Sequence, residues 1–398
     1  MHNMKVIGLI SGTSTDGIDA AMTEIEGRGF DARLTLLSFM TDPYPPSLRR
    51  RILALQQHGT VAELCRLNVE LGERFAAAAM RLIRRSGIPK AEVGLIGSHG
   101  QTVSHQPRGR HRSTLQIAEP SVIAERTGIV TVADFRPRDL AARGQGAPLT
   151  PYLHYVMFRH PRRARLIVNV GGISNVTYLP AGQGPEAVLA FDTGPGNMLA
   201  DGVIHHVSRG RRRMDRNGGL ARRGIVHETL LRRLMAHAFI RKRPPKTTGR
   251  EAFGAVLIRK LLDGSKGLGL SPADLLATVT RFTADSIAYN HEAFIRPKGA
   301  VDEVIVGGGG ARNGYLMDCL GRAFDPIPVH SFEDHGLDSK AIEAMAFALL
   351  AYQTARGEPN NLPSATGAAR PVVMGKIVPG HVPFSIVQDR QTGRETER

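Results

Sequence analysis

Apolar residues fall into two rhythms along this chain. Short unbroken runs at 5–10, 93–96, Arg165–Val170 and 304–306 predict buried strands. The alternating stretches 20–26 and 175–179, each just after one of those runs, predict partner strands. Other stretches place apolar residues three and four apart. In 61–85 these are Leu64, Leu67, Leu71, Phe75, Ala79 and Leu82, the single stripe of an amphipathic helix. The same spacing predicts helices over 46–57, 227–240, 252–262 and 273–294, the last carrying Leu276, Val279, Phe282, Ile287 and Phe294. The segment 341–352 is apolar nearly all round, with Glu343 its lone acid.

The elements recur. Each half runs from a strand, through a turn of small and hydroxyl residues, to a second strand, then helices, then a strand ending in glycine: Gly97-Ser98-His99-Gly100 in the first half, Gly307 to Gly310 in the second. The period is far longer than that of a solenoid repeat, so the pattern predicts domain duplication. We read an α/β domain over 1–160, a second over 161–380 and a polar tail over 381–398. In such folds ligands gather at the strand ends, which predicts a cleft between the domains.

Composition narrows the function. The chain has 398 residues, and 42% apolar content suffices for two cores. No run reaches the roughly 18 apolar residues of a membrane span, and the start reads as a first strand rather than a signal peptide. Cys65 and Cys319 are far apart and offer neither a disulfide framework nor a CxxC metal site, so a reduced cytoplasm is expected. The net charge of +16 comes from arginine and suits anionic partners. With no Trp and 5% aromatics, and with basic runs scattered at 49–51, 162–165 and 209–213, stacking platforms for nucleic acid are scarce. Solvated arginine faces account for most of that charge, and no nucleic-acid or membrane partner is expected.

Several stretches carry candidate chemistry. Gly12, Thr13, Ser14, Thr15, Asp16, Gly17, Ile18 and Asp19 follow the first strand. Amides and hydroxyls of such a turn can converge on phosphate, and Asp16 or Asp19 can hold magnesium through water; a plain structural turn has the same composition. No Walker A pattern is present. Four glycines at 307–310 exceed what a strand–helix turn needs and permit close approach of a nucleotide to Gly308, Gly309 and Gly310, with a helix starting near Asn313. Asp192 ends an apolar run directly before Thr193-Gly194-Pro195-Gly196, a stiff post for a general base or a cap for the turn. Arg136 and Arg138 alternate with Asp134 and Asp139: a carboxylate clamp, or an exposed ion-pair cluster. Gln101 can hydrogen-bond a sugar hydroxyl, while His99 and His105 read as structural. Glu343 either complements its helix dipole or faces the cleft.

Nine stretches together resemble the anhydro-N-acetylmuramic acid kinase family: SGTSTDGIDAA, GSHGQT, DFRPRDLAARGQGAP, NVGGISNVT, FDTGPGN, KTTGREAFG, GGGGARN, EAMAFALLA and GKIVPG, in family order up to about residue 380. The resemblance implies duplicated actin-like, hexokinase-like (ribonuclease H-like) α/β domains around an ATP cleft. It implies a cytoplasmic transferase of amino-sugar metabolism and peptidoglycan recycling. ATP with Mg2+ would phosphorylate the 6-oxygen of 1,6-anhydro-N-acetylmuramic acid while water opens the anhydro ring, giving N-acetylmuramic acid 6-phosphate.

Carried onto this sequence, Asp192 matches the family's base, residues 12–19 its ATP-phosphate segment, Gly308–Gly310 with Asn313 its nucleotide turn, and Glu343 an acid touching the sugar. Arg136 and Arg138 are chemically suited to the lactyl carboxylate. A homodimer is implied as well. Arg143 departs from the pattern, standing where glycine is expected before GQGAP. Two rivals share the fold: a kinase for another anhydrosugar such as levoglucosan, and an actin-like ATPase that needs no base at Asp192. A nucleic-acid-binding module, motivated by charge alone, comes third.

Overall fold

The computed structural model describes residues 3–381, so nearly all of the expected polar tail lies outside the described residues. Its strands are β1 (Met4–Ser11), β2 (Gly17–Glu26), β3 (Arg33–Pro43), β4 (Val93–Gln106), β5 (Ser113–Ile117), β6 (Thr131–Ala133), β7 (Arg165–Val170), β8 (Ile173–Leu179), β9 (Leu189–Pro195), β10 (Glu303–Gly307), β11 (Val329–Ser331) and β12 (Lys376–Val378). Residues up to Val156, together with those from Glu343 onward, form one compact unit, and Met157–Ile342 the other. The split at 160/161 expected from the sequence therefore lacks one feature: the chain from Glu343 returns to the first unit.

The first unit holds a sheet in the order β12-β6-β4-β1-β2-β3, with β5 paired to β4. Its strand β2 runs antiparallel to both β1 and β3, while β4 runs parallel to β1 and to β6. The second unit repeats this as β11-β10-β7-β8-β9, with β8 antiparallel to β7 and β9, and β10 parallel to β7 and β11. The five-strand order β6-β4-β1-β2-β3, with β2 its one antiparallel member, thus recurs in the second unit, and the first adds β5 and β12, each antiparallel to its neighbour; this is the duplicated actin-like α/β fold that the resemblance implies.

Each sheet buries the face its sequence pattern predicts. In the first unit Ile7, Leu9, Ile18 and Met22 pack against Leu67, Leu71, Phe75 and Leu82 of the helix Val61–Ser86. That helix begins where the Thr60 side chain accepts from Glu63 N and ends at Gly87 in the left-handed region. In the second unit the helix Pro272–Asn290 starts with a capping box of Ser271 and Asp274 and buries Leu276, Val279, Phe282 and Ile287. Among the described residues no helix is long and apolar enough to cross a membrane.

Several boundaries differ from the sequence reading, each for a local reason. Strand β4 does not end at the Gly97–Gly100 stretch. It continues to Gln106, because β5 supplies an antiparallel partner from Gln101 onward. Strand β2 starts at Gly17, so Ile18 and Asp19 are strand residues and the turn itself is residues 12–16. Asp192 lies inside β9, which runs on to Pro195, and not before a turn. The stretch 227–240 is two helices, broken where the His237 side chain caps the second, and 252–262 is broken at Gly254. The stretch 273–294 leaves the α form after Asn290 for a short π turn.

One packing arrangement positions much of the first unit. The helix Ala341–Ala355 lies directly on β1 and β4. A methyl group on Gly8 would sit 1.8 Å from the Ala344 carbonyl oxygen, and one on Gly97 would sit 2.1 Å from that of Phe347. Only bare backbone permits this approach. Gly8→Ala should therefore destabilise the protein by about 3 kcal/mol, at the upper end of overpacking costs. Urea unfolding followed by circular dichroism measures this, and a midpoint unchanged from wild type would refute the packing argument.

Candidate active site

The first unit gathers its candidate residues 12–19 and Gln101 at one end of β1, β2 and β4. The turn after β1 is held from two sides. Ser11 Oγ donates to Gln101 Oε1 at 2.6 Å, and Gln101 Nε2 donates to the Gly12 carbonyl at 3.3 Å. Arg49 reaches in from the helix Pro46–His58, donating to the carbonyls of Thr15 and Ser14 at 3.1 Å each, with Asp16 Oδ1 3.4 Å from its Nε. Thr15 is fully buried, has φ of 55°, and its hydroxyl has no hydrogen-bond partner. A β-branched residue in the left-handed region is strained by about 1–3 kcal/mol, which a functional loop tolerates more often than a plain turn. Thr13, Ser14 and Asp16 are exposed, whereas the Ile18 side chain is in the core. Asp19, on β2, accepts from Thr41 Oγ1 at 2.5 Å. Among the described residues no three His, Cys, Asp or Glu side chains form a metal cluster.

The same unit holds a half-buried cation, Arg136, between neutral acceptors. Arg136 stands in the helix Phe135–Ala141. Its Nε donates to His99 Nε2 at 2.9 Å and its Nη1 to the Gly146 carbonyl at 2.6 Å. With Nε2 accepting, His99 must be neutral and carry its proton on Nδ1, which faces the Gly100 carbonyl at 3.0 Å. Burial, and then the Arg136 charge, hold His99 well below its ordinary range; the ring packs on Phe347, 4.5 Å between centroids. Burial also pulls Arg136 down to about 10, against the opposing pull of Glu343 and Asp139. Glu343 is raised, first by burial and then by Asp19, while Arg136 draws it back.

The expected ion-pair cluster at 134–139 is not uniformly exposed. Asp139 is fully buried. It accepts from Gly146 N at 2.8 Å, Asn361 Nδ2 at 2.9 Å and Thr366 Oγ1 at 2.8 Å. It thereby fixes the loop whose Gly146 carbonyl holds Arg136. Arg138 is exposed. Arg143 is exposed with φ of 71°, the left-handed region where glycine costs least, which explains why glycine is the expected residue there.

The second unit places Asp192 on β9 within a strap formed by residues 246–248. Asp192 N donates to the Lys246 carbonyl at 3.1 Å, and Thr248 N donates to Asp192 Oδ2 at 2.8 Å. Burial pushes the Asp192 carboxyl up to about 7, with a further push from Glu251, against the Thr248 amide and the Lys246 charge. The strand end beyond it is stiff: Ser174 Oγ and Thr193 Oγ1 lie 2.6 Å apart, Asn290 Nδ2 donates to the Thr193 carbonyl at 3.1 Å, and Thr283 Oγ1 donates to the Gly196 carbonyl at 2.9 Å.

The glycine turn after β10 belongs to the same unit. Packing alone demands three of its four glycines. Gly307 faces the Phe332 ring, Gly310 faces Val170, and Gly308, at φ of 77°, faces Asn169 and the Val170 carbonyl. Gly309 is the exception: a methyl there would meet nothing nearer than Asn197 Nδ2 at 3.6 Å. Asn313 caps the helix Gly314–Phe324, its Oδ1 accepting from Leu316 N at 3.1 Å.

Sequence reasoning gives no role to Lys246, Thr248 or Arg49, and reads Asp139 only as part of a charge cluster with Asp134, Arg136 and Arg138. Lys246 lies in a basic stretch, RKRPPKTTGR, that composition cannot tell from a solvated surface run. Its one signal was membership of the KTTGREAFG motif.

The model of the family described as anhydro-N-acetylmuramic acid kinase matches residues 4–380. A protein of that description from Caldanaerobacter subterraneus subsp. tengcongensis is 48% identical over 380 residues, covering 94% of this chain and 96% of its own length. One from Gloeobacter violaceus is 46% identical, covering 95% and 100%. Among solved structures, component A of (R)-2-hydroxyglutaryl-CoA dehydratase from Acidaminococcus fermentans superposes with a TM-score of 0.44 at 11% identity, covering 88% of this chain and 98% of that one, a likeness too loose to bear on the site.

The neutral His99 has a thermodynamic signature. A histidine depressed in the folded state binds its proton more readily when unfolded, so its contribution to stability is complete above pH 6.5 and is lost as pH falls below that value. Below pH 6 wild type should lose stability more steeply than His99→Gln, by about 1.4 kcal/mol per pH unit. Urea unfolding of both proteins between pH 5 and 7.5 checks this; parallel curves would mean that His99 titrates normally.

Proposed function

This chain belongs to the anhydro-N-acetylmuramic acid kinase family, and we propose that it phosphorylates the 6-oxygen of 1,6-anhydro-N-acetylmuramic acid with ATP while hydrolysing the anhydro bridge. The observation that carries the reading is Asp192, a carboxylate with one oxygen pinned by the Thr248 amide and its titration pushed to about 7. A base poised near working pH is what activation of water requires. Asp192 takes a proton from water as the water oxygen bonds to the anomeric carbon. The bond from that carbon to the 6-oxygen breaks, and the 6-oxygen takes the γ-phosphoryl group as ADP leaves. Attack from the face opposite the leaving oxygen follows the logic of inverting glycoside hydrolysis.

The remaining assignments follow from donor chemistry. The exposed hydroxyls and amides of the turn at Gly12, Thr13 and Ser14, with the strained Thr15 behind them, suit ATP phosphates. Gly308, Gly309 and Gly310 with Asn313 form the nucleotide turn, and Gly309 is the position that packing leaves open to a ligand. Asp16, which is exposed on the turn, or Asp19 would hold Mg2+ through water, a mode that needs only one or two carboxylates. Magnesium, when bound, neutralises charge on the phosphates. Arg136, held rigid by His99 and Gly146, is suited to the lactyl carboxylate. Arg138 is exposed and less constrained. Glu343 would accept from a sugar hydroxyl; Gln101, expected to do the same, is instead fully buried with its amide engaged by Ser11, Gly12 and Thr102, and braces the turn. The same reading has the enzyme working as a cytoplasmic homodimer in peptidoglycan recycling.

ADP release with Mg-ATP should require the anhydro sugar, and levoglucosan, which lacks the lactyl and N-acetyl groups, should be a far poorer substrate. Asp192→Asn should lower kcat by about 10²–10⁴-fold. ADP release indifferent to sugar would sink the reading. Because the base must be ionised, kcat/KM should fall about tenfold per pH unit below a limb near 7. A wild-type limb near 4, the ordinary carboxylate range, would show that burial does not lift the Asp192 carboxyl, whereas an unchanged kcat in Asp192→Asn would remove it from the role.

A further inference from the structure

Lys246 is a lysine in an unusual place. It is 2% exposed. Its ammonium donates to the carbonyls of Phe239 at 3.1 Å and Ile240 at 2.9 Å, both in the short helix Ala238–Arg241. Three aromatic faces surround it: Phe239 at 4.9 Å, Phe294 at 5.1 Å and Phe191 at 5.9 Å from ring centroid to Nζ. Phe191 directly precedes Asp192 on β9. A buried ammonium held by carbonyl oxygens and ring faces is costly, and a hydrocarbon of the same length would pack there with less penalty. Nothing in the reaction proposed above uses this charge.

We propose that Lys246 is a positioning residue for Asp192: its anchored ammonium fixes the 246–248 strap in register and supplies the positive potential that keeps the Asp192 carboxylate ionised in a water-poor setting. The anchoring follows from the hydrogen bonds. The lysine side chain ties the strap to the helix Ala238–Arg241, and the strap's own backbone grips Asp192 twice, through the Lys246 carbonyl and the Thr248 amide. The electrostatic part follows from the charges facing the site. Burial and Glu251 drive Asp192 towards its neutral form, whereas Lys246 and the Thr248 amide oppose them. Lys246 in turn is drawn down to about 8 by burial and by Lys242, with Asp192 pulling the other way. Each member of the pair therefore favours the charged form of the other.

The inference rests on Asp192 being the base, so its test includes a readout independent of turnover. Lys246→Gln removes the charge and keeps donors for the two carbonyls; Lys246→Met removes both; Lys246→Arg keeps the charge. Thermal melts establish which variants fold. The carboxyl C=O band of Asp192, assigned in the infrared by its loss in Asp192→Asn, is then titrated with pH in each. In the neutral variants the band's midpoint should rise by about one pH unit, and the acid limb of kcat/KM should rise with it. That costs about tenfold in activity at pH 6, with recovery to within about threefold at pH 9, and with kcat rather than KM bearing the loss. Lys246→Arg should restore the limb. A folded neutral variant whose carboxyl midpoint stays at the wild-type value overturns the proposal, as does an equal loss at every pH in all three variants. If Asp192 is not the base, Asp192→Asn remains active while the infrared midpoint still reports whether Lys246 controls that carboxyl.

Discussion

A helix can rest directly on a sheet only where the strands beneath it carry no side chains. Gly8 on β1 and Gly97 on β4 provide that bare surface, and the helix Ala341–Ala355 occupies it through Ala344, Phe347, Ala348 and Ala351. Spaced three and four apart, these four share one helical face. The rest of the first unit's candidate site hangs on this contact. Phe347 supplies the ring on which His99 packs, His99 accepts from Arg136, and Glu343 at the start of the same helix feels both Arg136 and Asp19. Lifting the helix by a methyl's thickness would disturb all of these together. Interiors are close-packed and do not deform gradually.

The two units handle buried charge in opposite ways. In the first, a permanent cation is fixed by neutral acceptors, a histidine nitrogen and a carbonyl, so Arg136 keeps its charge available to a ligand. A carboxylate in place of His99 would already occupy that charge. In the second, the key group is an acid, and its surroundings are balanced. Burial alone would leave Asp192 protonated and useless as a base, and full pairing with a cation would leave it too weak to take a proton. Lys246 acts on Asp192 electrostatically, while its ammonium donates to the Phe239 and Ile240 carbonyls and not to the carboxylate. In the proposed role the ammonium tunes Asp192 without quenching it.

The long elements were legible in the sequence because their apolar periodicity is set by the same burial that holds them in place. The run Arg165–Val170 is β7 to the residue, and 61–85 is short of its helix by one. Duplication was legible because both sheets use one strand order. What escaped depends on partners distant in sequence. Strand β3 alternates exposed and half-buried positions and is defined by its pairing with β2. Strand β4 outruns its apolar stretch because β5 pairs with it, and the return of the chain to the first unit after Ile342 leaves no local mark. Within the candidate site, Asp192, Arg136 and Glu343 stood out as charges in stiff or apolar surroundings. Lys246 did not, and Asp139 stood out only as part of a charge cluster and not as a buried residue, since burial of a charged side chain follows from tertiary packing and not from its neighbours in the chain.

Glycine shows where sequence logic reaches its limit. Four in a row suggested an excess beyond what a turn needs, yet close approach to Phe332, Asn169 and Val170 accounts for three of them. Gly309 alone is unexplained by packing, so the ligand argument narrows from a run to one residue and gains force by doing so. Strain gives the complementary signal. Thr15 and Arg143 occupy the left-handed region that glycine would fill more cheaply. At Arg143 the side chain is exposed and the loop is already fixed through Asp139 and Gly146, so the strain has no visible return. At Thr15 the residue is buried, its carbonyl is clamped by Arg49, and its hydroxyl lacks a partner. A strained, clamped and unsatisfied residue directly behind an exposed run of hydroxyls is hard to account for as a plain connection between two strands. These features support the proposal that the turn holds an anionic ligand.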